Sequence, residues 1–143
     1  MAVDNAISMK DLFAGKTVAV FGVPAPFTGT CTNEHYPPYK ALAGEFKKAG
    51  ADQVVCYTVS DPYALNGWGV SLQNNNDEIR FLADPDASFA KAFEVDNDYA
   101  AASLGLRSKR FSMLVKDGVV KSFHFVDIAS EDADVLLADL KNL

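Results

Sequence analysis

The sequence predicts an α/β fold in which helices flank a mixed central sheet. Three observations predict this fold class. Short apolar runs rich in β-branched residues alternate with segments of helical periodicity along most of the 143 residues. Asp117-Gly118, between two apolar runs near the end of the chain, is typical of an antiparallel hairpin. A helical repeat of apolar residues then follows that hairpin.

The first part of the chain reads as strand, helix, strand. The apolar run TVAVFGV at 17–23 predicts a buried strand, and QVVCYTVS at 53–60 predicts a second one. Residues 31–49 between them predict a helix that ends at Gly50. The apolar face of this helix is formed by Tyr39, Leu42, Ala43 and Phe46. We expect Pro37-Pro38 to kink the helix after its first turns.

The remaining elements continue the alternation. Residues 61–73 open with Asp-Pro and predict a helix, 78–83 predict a third strand, and 86–93 predict a short helix. NNND at 74–77 reads as a short polar loop. The hairpin then occupies 111–126. The last helix is predicted to start at Ser130, to be capped by serine and acidic residues, and to bury Ala133, Leu136, Leu137 and Leu140.

The order β-α-β-α-β-α-β-β-α, with a terminal hairpin followed by a helix, is the pattern of the thioredoxin-like fold. This is an analogy of fold and does not establish function. We expect residues 1–143 to form a single domain, because the chain length is typical of one domain.

Composition excludes several classes of function. The net charge is −6 and the only dense positive run is RSKR at 107–110, so we expect no binding to nucleic acid or to membranes. There is no signal-peptide pattern at the start and no apolar run long enough to span a membrane, which predicts a cytoplasmic protein. The two cysteines are too few for a disulfide scaffold.

Cys31 is placed where a cysteine can be reactive. It follows a strand and a loop at 24–30, and the crevice at the carboxyl end of such a strand is where ligands bind in open α/β sheets. Thr30 is the expected N-cap, which puts Cys31 in the first helical turn, where unpaired N–H groups favour a thiolate. Thr28 can turn its hydroxyl towards the sulfur or a substrate oxygen. Position alone leaves open the alternative that Cys31 is a small apolar core residue.

The motif P-x-x-x-T-x-x-C, formed by Pro24, Thr28 and Cys31, resembles the active-site signature of the peroxiredoxins. The stretch FGVPAPFTGTCTNEHYPPY is similar to the atypical type II branch, and the likeness runs through three further stretches. These stretches are VVCYTVSDPYALNGWG, FLADPDASFAKAF and LGLRSKRFSMLVKDGVVK. The chain departs from the usual loop at Ala25-Pro26 and at Gly29, which alters the shape of the expected pocket.

The resemblance implies a thiol peroxidase, an antioxidant oxidoreductase. It implies that Cys31 is the peroxidatic nucleophile, that Thr28 hydrogen-bonds the peroxide, and that the Arg110 cation stabilises the thiolate and the departing oxygen. The same resemblance makes Pro24 and His35 candidate residues of the substrate pocket, and Arg107 is a further candidate because it is a second cation close to Arg110 in sequence. His35 follows Cys31 by one helical turn and is expected to line the pocket or act as a base. Trp68 is expected near the site or near a subunit contact.

The expected reductant is an external thiol. Cys56 lies inside an apolar strand and no cysteine follows it, so we predict a one-cysteine mechanism. The resemblance then implies glutathione, glutaredoxin or thioredoxin as reductant, and a homodimer. No cofactor and no metal are expected, because thiolate, arginine and peroxide suffice for the chemistry.

Other functions have weaker support in the sequence. Thioredoxin-type exchange needs a second cysteine near Cys31, and none follows within three residues. A cysteine hydrolase needs a histidine base, for which His35 and His124 are the candidates. Cys31 and His35 alone are too few ligands for a metal site. A redox sensor that reacts once with peroxide remains open, and turnover with a thiol separates it from an enzyme.

Overall fold

The structure, a computed structural model, describes residues 6–74 and 78–143. The strands are β1 (Thr17–Gly22), β2 (Gln53–Thr58), β3 (Arg80–Ala83), β4 (Asp96–Asp98), β5 (Leu106–Ser108), β6 (Phe111–Lys116) and β7 (Val119–Phe125). The helices are α1 (Met9–Phe13), α2 (Tyr36–Lys48), α3 (Pro62–Ser71), α4 (Ser88–Ala92) and α5 (Asp132–Lys141). Residues 75–77 of the predicted polar loop lie outside the described residues.

The central sheet is mixed, as predicted. Its five strands run in the order β3-β2-β1-β6-β7. β1 pairs in parallel with β2, and β2 in parallel with β3, whereas β6 runs antiparallel to β1 and to β7. β4 and β5 form a separate two-stranded antiparallel sheet. The carboxyl ends of β1 and β2 therefore lie beside the amino end of β6, and the loops at this edge carry the cysteine motif and Arg110.

Two apolar layers pack on the two faces of the sheet, because successive side chains of a strand point to opposite sides. Ala19 and Phe21 of β1 pack with the buried residues of α2, α3 and α5. Val18 and Val20 of the same strand pack on the other face with residues of α1 and α4. Both faces of β1 are therefore buried, and the loop that carries the cysteine motif starts from the end of this buried strand.

The hairpin and the last helix agree with the sequence predictions. Asp117 and Gly118 connect β6 to β7 with φ of 48° and 78°, and two left-handed residues are what a tight hairpin turn needs. All four predicted apolar residues of α5 are buried. Ser130, however, lies in a 3-10 turn (Ala129–Glu131), and no side chain caps the start of α5. The predicted cap by serine or acidic residues is therefore wrong.

The helix after the cysteine motif differs from the prediction in its first turns. Gly29 and Thr30 are already α-helical, Cys31–His35 form a π-helical turn, and the α-helix resumes at Tyr36 as α2. Pro37 and Pro38 come directly after the π-helical turn, inside a continuous helical segment, and such turns are places where helices commonly bend. The kink at these prolines stays a prediction. Gly50 follows the helix with a φ of +112°, in agreement with its predicted role at the helix end.

Candidate active site

The loop that carries the cysteine motif is anchored at both ends. The N–H group of Val23 donates to the carbonyl of Tyr57 at the end of β2, and Thr32 N donates to Thr28 O at 3.0 Å, which closes the first helical turn. The hydroxyl of Thr28 donates to the carbonyl of Ala25 at 2.8 Å. This bond uses the hydroxyl proton within the loop and leaves the oxygen of Thr28 as an acceptor. Pro24, at the start of the loop, is half-buried.

Cys31 lies in the first helical turn, as predicted, although the expected cap is wrong. Helical turns begin at Gly29, and Thr30 has the helical angles φ −64° and ψ −43° with no side-chain cap. Cys31 is only 1% exposed and belongs to the apolar layer on the α2 side of the sheet. Burial alone is compatible with a core cysteine, so the polar neighbours of the sulfur decide which interpretation is supported.

The neighbour of the Cys31 sulfur is a guanidinium group. Arg110 Nη2 donates to Cys31 Sγ at 3.2 Å, although 79 positions separate the two residues in the chain. Among the described residues, no carboxylate oxygen lies within 4.0 Å of the Arg110 guanidinium. A half-buried arginine without a carboxylate partner favours an anion nearby. The Cys31 sulfur, as a thiolate, is the group in contact that can supply that negative charge.

His35 lies behind Arg110 and does not hydrogen-bond Cys31. Arg110 Nη1 donates to His35 Nδ1 at 2.9 Å, and His35 Nε2 lies 2.8 Å from Asp132 Oδ2, within hydrogen-bond distance. Burial lowers the pKa of His35, and the Arg110 cation lowers it too, against the opposing effect of Asp132. His35 is therefore neutral at pH 7, and both of its ring nitrogens are occupied.

Asp132 is a site residue that the sequence does not single out, because it is one of several acidic residues at the start of a helix. Its carboxylate is buried and accepts hydrogen bonds from three side chains. These are His35 Nε2 at 2.8 Å, Tyr39 Oη at 2.6 Å and Ser112 Oγ at 2.7 Å. Burial by itself would raise the pKa of Asp132, but these hydrogen bonds lower it below its usual range.

Arg107 forms no hydrogen bond with Cys31 and instead binds two backbone carbonyls. Its Nε donates to the carbonyl of Leu104 at 2.9 Å, and its Nη1 donates to the carbonyl of Val59 at 2.6 Å. These bonds join β5 to the segment that follows β2. The observed contacts of Arg107 are those of a structural clamp.

Trp68 lies close to the site. It is fully buried in α3, stacks on Phe81, and its Nε1 donates to Thr32 Oγ1 at 3.1 Å. The predicted proximity to the site therefore agrees with the structure. A buried indole cannot itself form a subunit contact, so a dimer surface near α3 would need exposed neighbours such as Tyr63 and Val70.

The second cysteine and the second histidine have separate surroundings. Cys56 is fully buried in the middle of β2, and burial raises the pKa of its thiol well above the usual value, with a further increase from Cys31. His124 Nε2 lies 2.5 Å from Asp139 Oδ2, and Ser122 donates to the same carboxylate oxygen at 2.6 Å. This group joins β7 to α5. It is not the arrangement of a hydrolase, in which serine and carboxylate bind different ring nitrogens.

Two further observations concern metals and membranes. In residues 6–74 and 78–143, no three His, Cys, Asp or Glu side chains cluster in a way that could hold a metal ion. No helix in the same part of the chain is long and apolar enough to cross a membrane.

Comparisons with known proteins identify the family to which the chain is similar. The redoxin family profile matches residues 2–139. A mitochondrial peroxiredoxin-2F of Oryza sativa subsp. japonica is 45% identical over 132 residues, which are 92% of this chain and 66% of that protein. The chain thus spans slightly less than two thirds of the length of this relative.

Solved structures show the same fold. Reduced Prx3 from Vibrio vulnificus superposes with a TM-score of 0.89 at 35% identity, over 99% of this chain and 91% of that one. The same protein in complex with H2O2 has a TM-score of 0.83 at 36% identity, over 92% and 82% of the two chains. The predicted thioredoxin-like α/β fold is confirmed. This chain belongs to the redoxin family, as a peroxiredoxin of the type II branch.

Proposed function

We propose that this peroxiredoxin is a thiol-dependent peroxidase that reduces hydrogen peroxide and alkyl hydroperoxides at Cys31. The observation that supports the proposal is the contact of 3.2 Å between Arg110 Nη2 and Cys31 Sγ. A cation in contact with the sulfur favours the thiolate, which is the nucleophilic form. The relative from Vibrio vulnificus that was solved with H2O2 supports a peroxide as substrate.

The first step joins sulfur to one peroxide oxygen. The thiolate attacks that oxygen, the O–O bond breaks, and the departing hydroxide or alkoxide takes a proton to leave as water or alcohol. The sulfur becomes a sulfenic acid. Arg110 would stabilise both the thiolate and the charge on the departing oxygen. Thr28 would hold the peroxide, Pro24 would shield it, and His35 would shape the pocket from behind Arg110. Arg107 would contribute by fixing β5, the strand that leads to Arg110, through its bonds to Leu104 and Val59.

The second step is assigned to an external thiol. A thiol such as glutathione condenses with the sulfenic acid to a mixed disulfide with loss of water, and a second thiol then releases Cys31. Cys56 is a poor candidate for the resolving residue, because burial raises the pKa of its thiol and β2 holds it in mid-sheet. Glutathione with glutaredoxin is the proposed donor, and thioredoxin is the second.

A redox sensor is the second candidate function. Cys31 is 1% exposed, so a bulky thiol reaches its sulfenic acid only if the surrounding segment opens. A protein that oxidises rapidly but is reduced slowly would report peroxide without consuming it. The two functions share the oxidation step and differ in the reduction step.

Peroxide consumption by the reduced protein separates the two functions. We expect many equivalents of hydrogen peroxide to be consumed per chain in the presence of excess glutathione and glutaredoxin, or of thioredoxin with its reductase. Loss of a single equivalent with every donor would favour the sensor. Absence of any loss beyond the rate without protein would contradict both. A Cys31–Cys56 disulfide in the oxidised protein, detected by mass spectrometry, would contradict the one-cysteine mechanism.

Arg110→Met is expected to slow the oxidation step by about 10²–10³-fold, the usual cost of removing one group that stabilises developing charge. Arg110→Lys should recover only part of this loss, because an ammonium group cannot donate to both Cys31 Sγ and His35 Nδ1 in the geometry of the guanidinium fork. The single tryptophan, Trp68, donates a hydrogen bond to Thr32, the residue after Cys31. Stopped-flow measurement of its fluorescence can therefore follow the oxidation of Cys31. Oxidation of Arg110→Met within about threefold of wild type would remove Arg110 from the proposed chemistry.

Assembly and compartment complete the proposal. A homodimer and a cytoplasmic location are proposed, although the rice relative is named as mitochondrial. Exposed Phe27 and Tyr63 lie on the side of the cysteine loop and of α3, and they are the apolar side chains that a second copy would cover there.

A further inference from the structure

Asp132 is connected to the Cys31 sulfur through two intervening side chains. Its carboxylate accepts from His35, His35 accepts from Arg110, and Arg110 donates to the sulfur, over distances of 2.8, 2.9 and 3.2 Å. The four residues come from the helical segment after β1, the loop before β6 and the start of α5. Asp132 itself hydrogen-bonds neither Cys31 nor Arg110.

The direction of each hydrogen bond is determined by its two ends. A guanidinium group can only donate, so His35 Nδ1 must present a lone pair to Arg110. An ionised carboxylate can only accept, so His35 Nε2 must carry the proton that faces Asp132. Tyr39 and Ser112 donate to the same carboxylate and favour its ionised form. The opposite tautomer of His35 would point an N–H group at Arg110 and leave Asp132 without this donor.

We propose that Asp132 is a positioning residue, which holds His35 in the Nε2-protonated tautomer and thereby orients the Arg110 guanidinium towards the Cys31 sulfur. The inference rests on the proposed function, since it assigns Asp132 a part in preparing Cys31 for peroxide. It goes beyond a packing role for the buried carboxylate. A packing role requires only that the buried oxygens of Asp132 have hydrogen-bond donors. The proposed role requires in addition that His35 carries its proton on Nε2 and not on Nδ1.

Asp132→Asn is the variant that tests the tautomer. The side chain keeps its shape, but its amide can donate to His35 Nε2 and so permits the opposite tautomer. Asp139→Asn is the matched control. Asp139 lies on the same helix and also bonds a histidine and a serine, but its histidine is His124, which does not contact Arg110.

Two measurements test the proposal, one of the His35 tautomer and one of the reactivity of the Cys31 sulfur. Nitrogen-15 NMR of the reduced protein gives the tautomer of each histidine, and there are only two in the chain. We expect wild-type His35 to be neutral with its proton on Nε2, and Asp132→Asn to lose this pattern. Alkylation of Cys31 by iodoacetamide should slow by about tenfold at pH 7 in Asp132→Asn, which is the lower end of the loss seen when a carboxylate that orients a metal-bound histidine is removed. The limiting rate at high pH, where every thiol is ionised, should change by less than about twofold.

The outcomes separate this inference from the function on which it rests. A folded Asp132→Asn with unchanged His35 signals and unchanged alkylation would overturn the positioning role. An equal effect of Asp139→Asn on alkylation would overturn it too, because the effect would then be one of stability. If Asp132→Asn does not fold, the wild-type spectrum decides, and a His35 proton on Nδ1 or an imidazolium at pH 7 contradicts the proposal. Failure of the proposed peroxidase would appear instead as absence of peroxide turnover in the wild type.

Discussion

Cys31→Ala is expected to abolish peroxide turnover, with a loss on the order of 10³-fold or more, whereas Cys56→Ala should keep turnover within about threefold of wild type. The proposed reaction transfers an oxygen to a thiolate, and without the Cys31 sulfur Arg110 has no nucleophile to stabilise. Cys56 is fully buried in β2 with a raised pKa, so its thiol is largely protonated at pH 7 and shielded from the substrate.

The two variants form a matched pair. Both sulfurs are buried in the same apolar layer, so the two substitutions remove similar volumes from similar surroundings. Alanine is preferable to serine here, because a hydroxyl in either position would risk a buried unsatisfied polar group, which costs about 1–3 kcal/mol. Equal thermal stability of the two variants would show that any difference in turnover arises from chemistry.

The measurement is peroxide loss under saturating thiol donor, with the intact mass of each protein recorded after oxidation. Wild type and Cys56→Ala should gain one oxygen when the donor is omitted, and Cys31→Ala should gain none. If Cys56→Ala loses turnover as well, Cys56 takes part in resolution and the one-cysteine mechanism is wrong. If Cys31→Ala retains turnover, Cys31 is a core residue.

Much of the sheet was predictable because its strands are continuous apolar runs with clear turn residues between them. The separate β4–β5 pair was not predicted, because β4 is the tripeptide Asp-Asn-Asp and carries no β-type pattern. α1 was missed for a similar reason, since five residues are too few to show a helical period. The π-helical turn at Cys31–His35 could not be read from sequence, because its residues also suit an ordinary helix.

The site was predictable to the extent that a motif marks it. Cys31 and Thr28 belong to a local pattern, and Arg110 was assigned by resemblance and lies in contact with the sulfur. Asp132 could not be found in this way, because acidic residues are common at helix starts and its partners lie 97, 93 and 20 positions away. Arg107 shows the reverse case, in which nearness in sequence to Arg110 did not bring the side chain to the sulfur.

Gly22→Ala is expected to lower the free energy of unfolding by about 3 kcal/mol or more, the upper part of the range for overpacked sites. Gly22 ends β1 and pairs with Phe111, the residue after Arg110. A Cβ at Gly22 would lie 2.1 Å from Phe111 Cε1. The ring cannot move aside easily, because it stacks on Phe123 at 5.7 Å and packs against Tyr57 at 5.8 Å. Movement of the Phe111 backbone would instead displace Arg110 from Cys31.

Gly44→Ala is the matched control, with an expected gain of about 0.5–1 kcal/mol. Gly44 lies on the exposed side of α2, and a Cβ there would meet nothing within 4 Å. Urea unfolding of the reduced proteins, followed by Trp68 fluorescence, gives both free energies. A Gly22→Ala variant within about 1 kcal/mol of wild type would show that the sheet edge can relax around an added methyl group. A large loss accompanied by slower Cys31 oxidation in the folded fraction would instead link the packing of this glycine to the placement of Arg110.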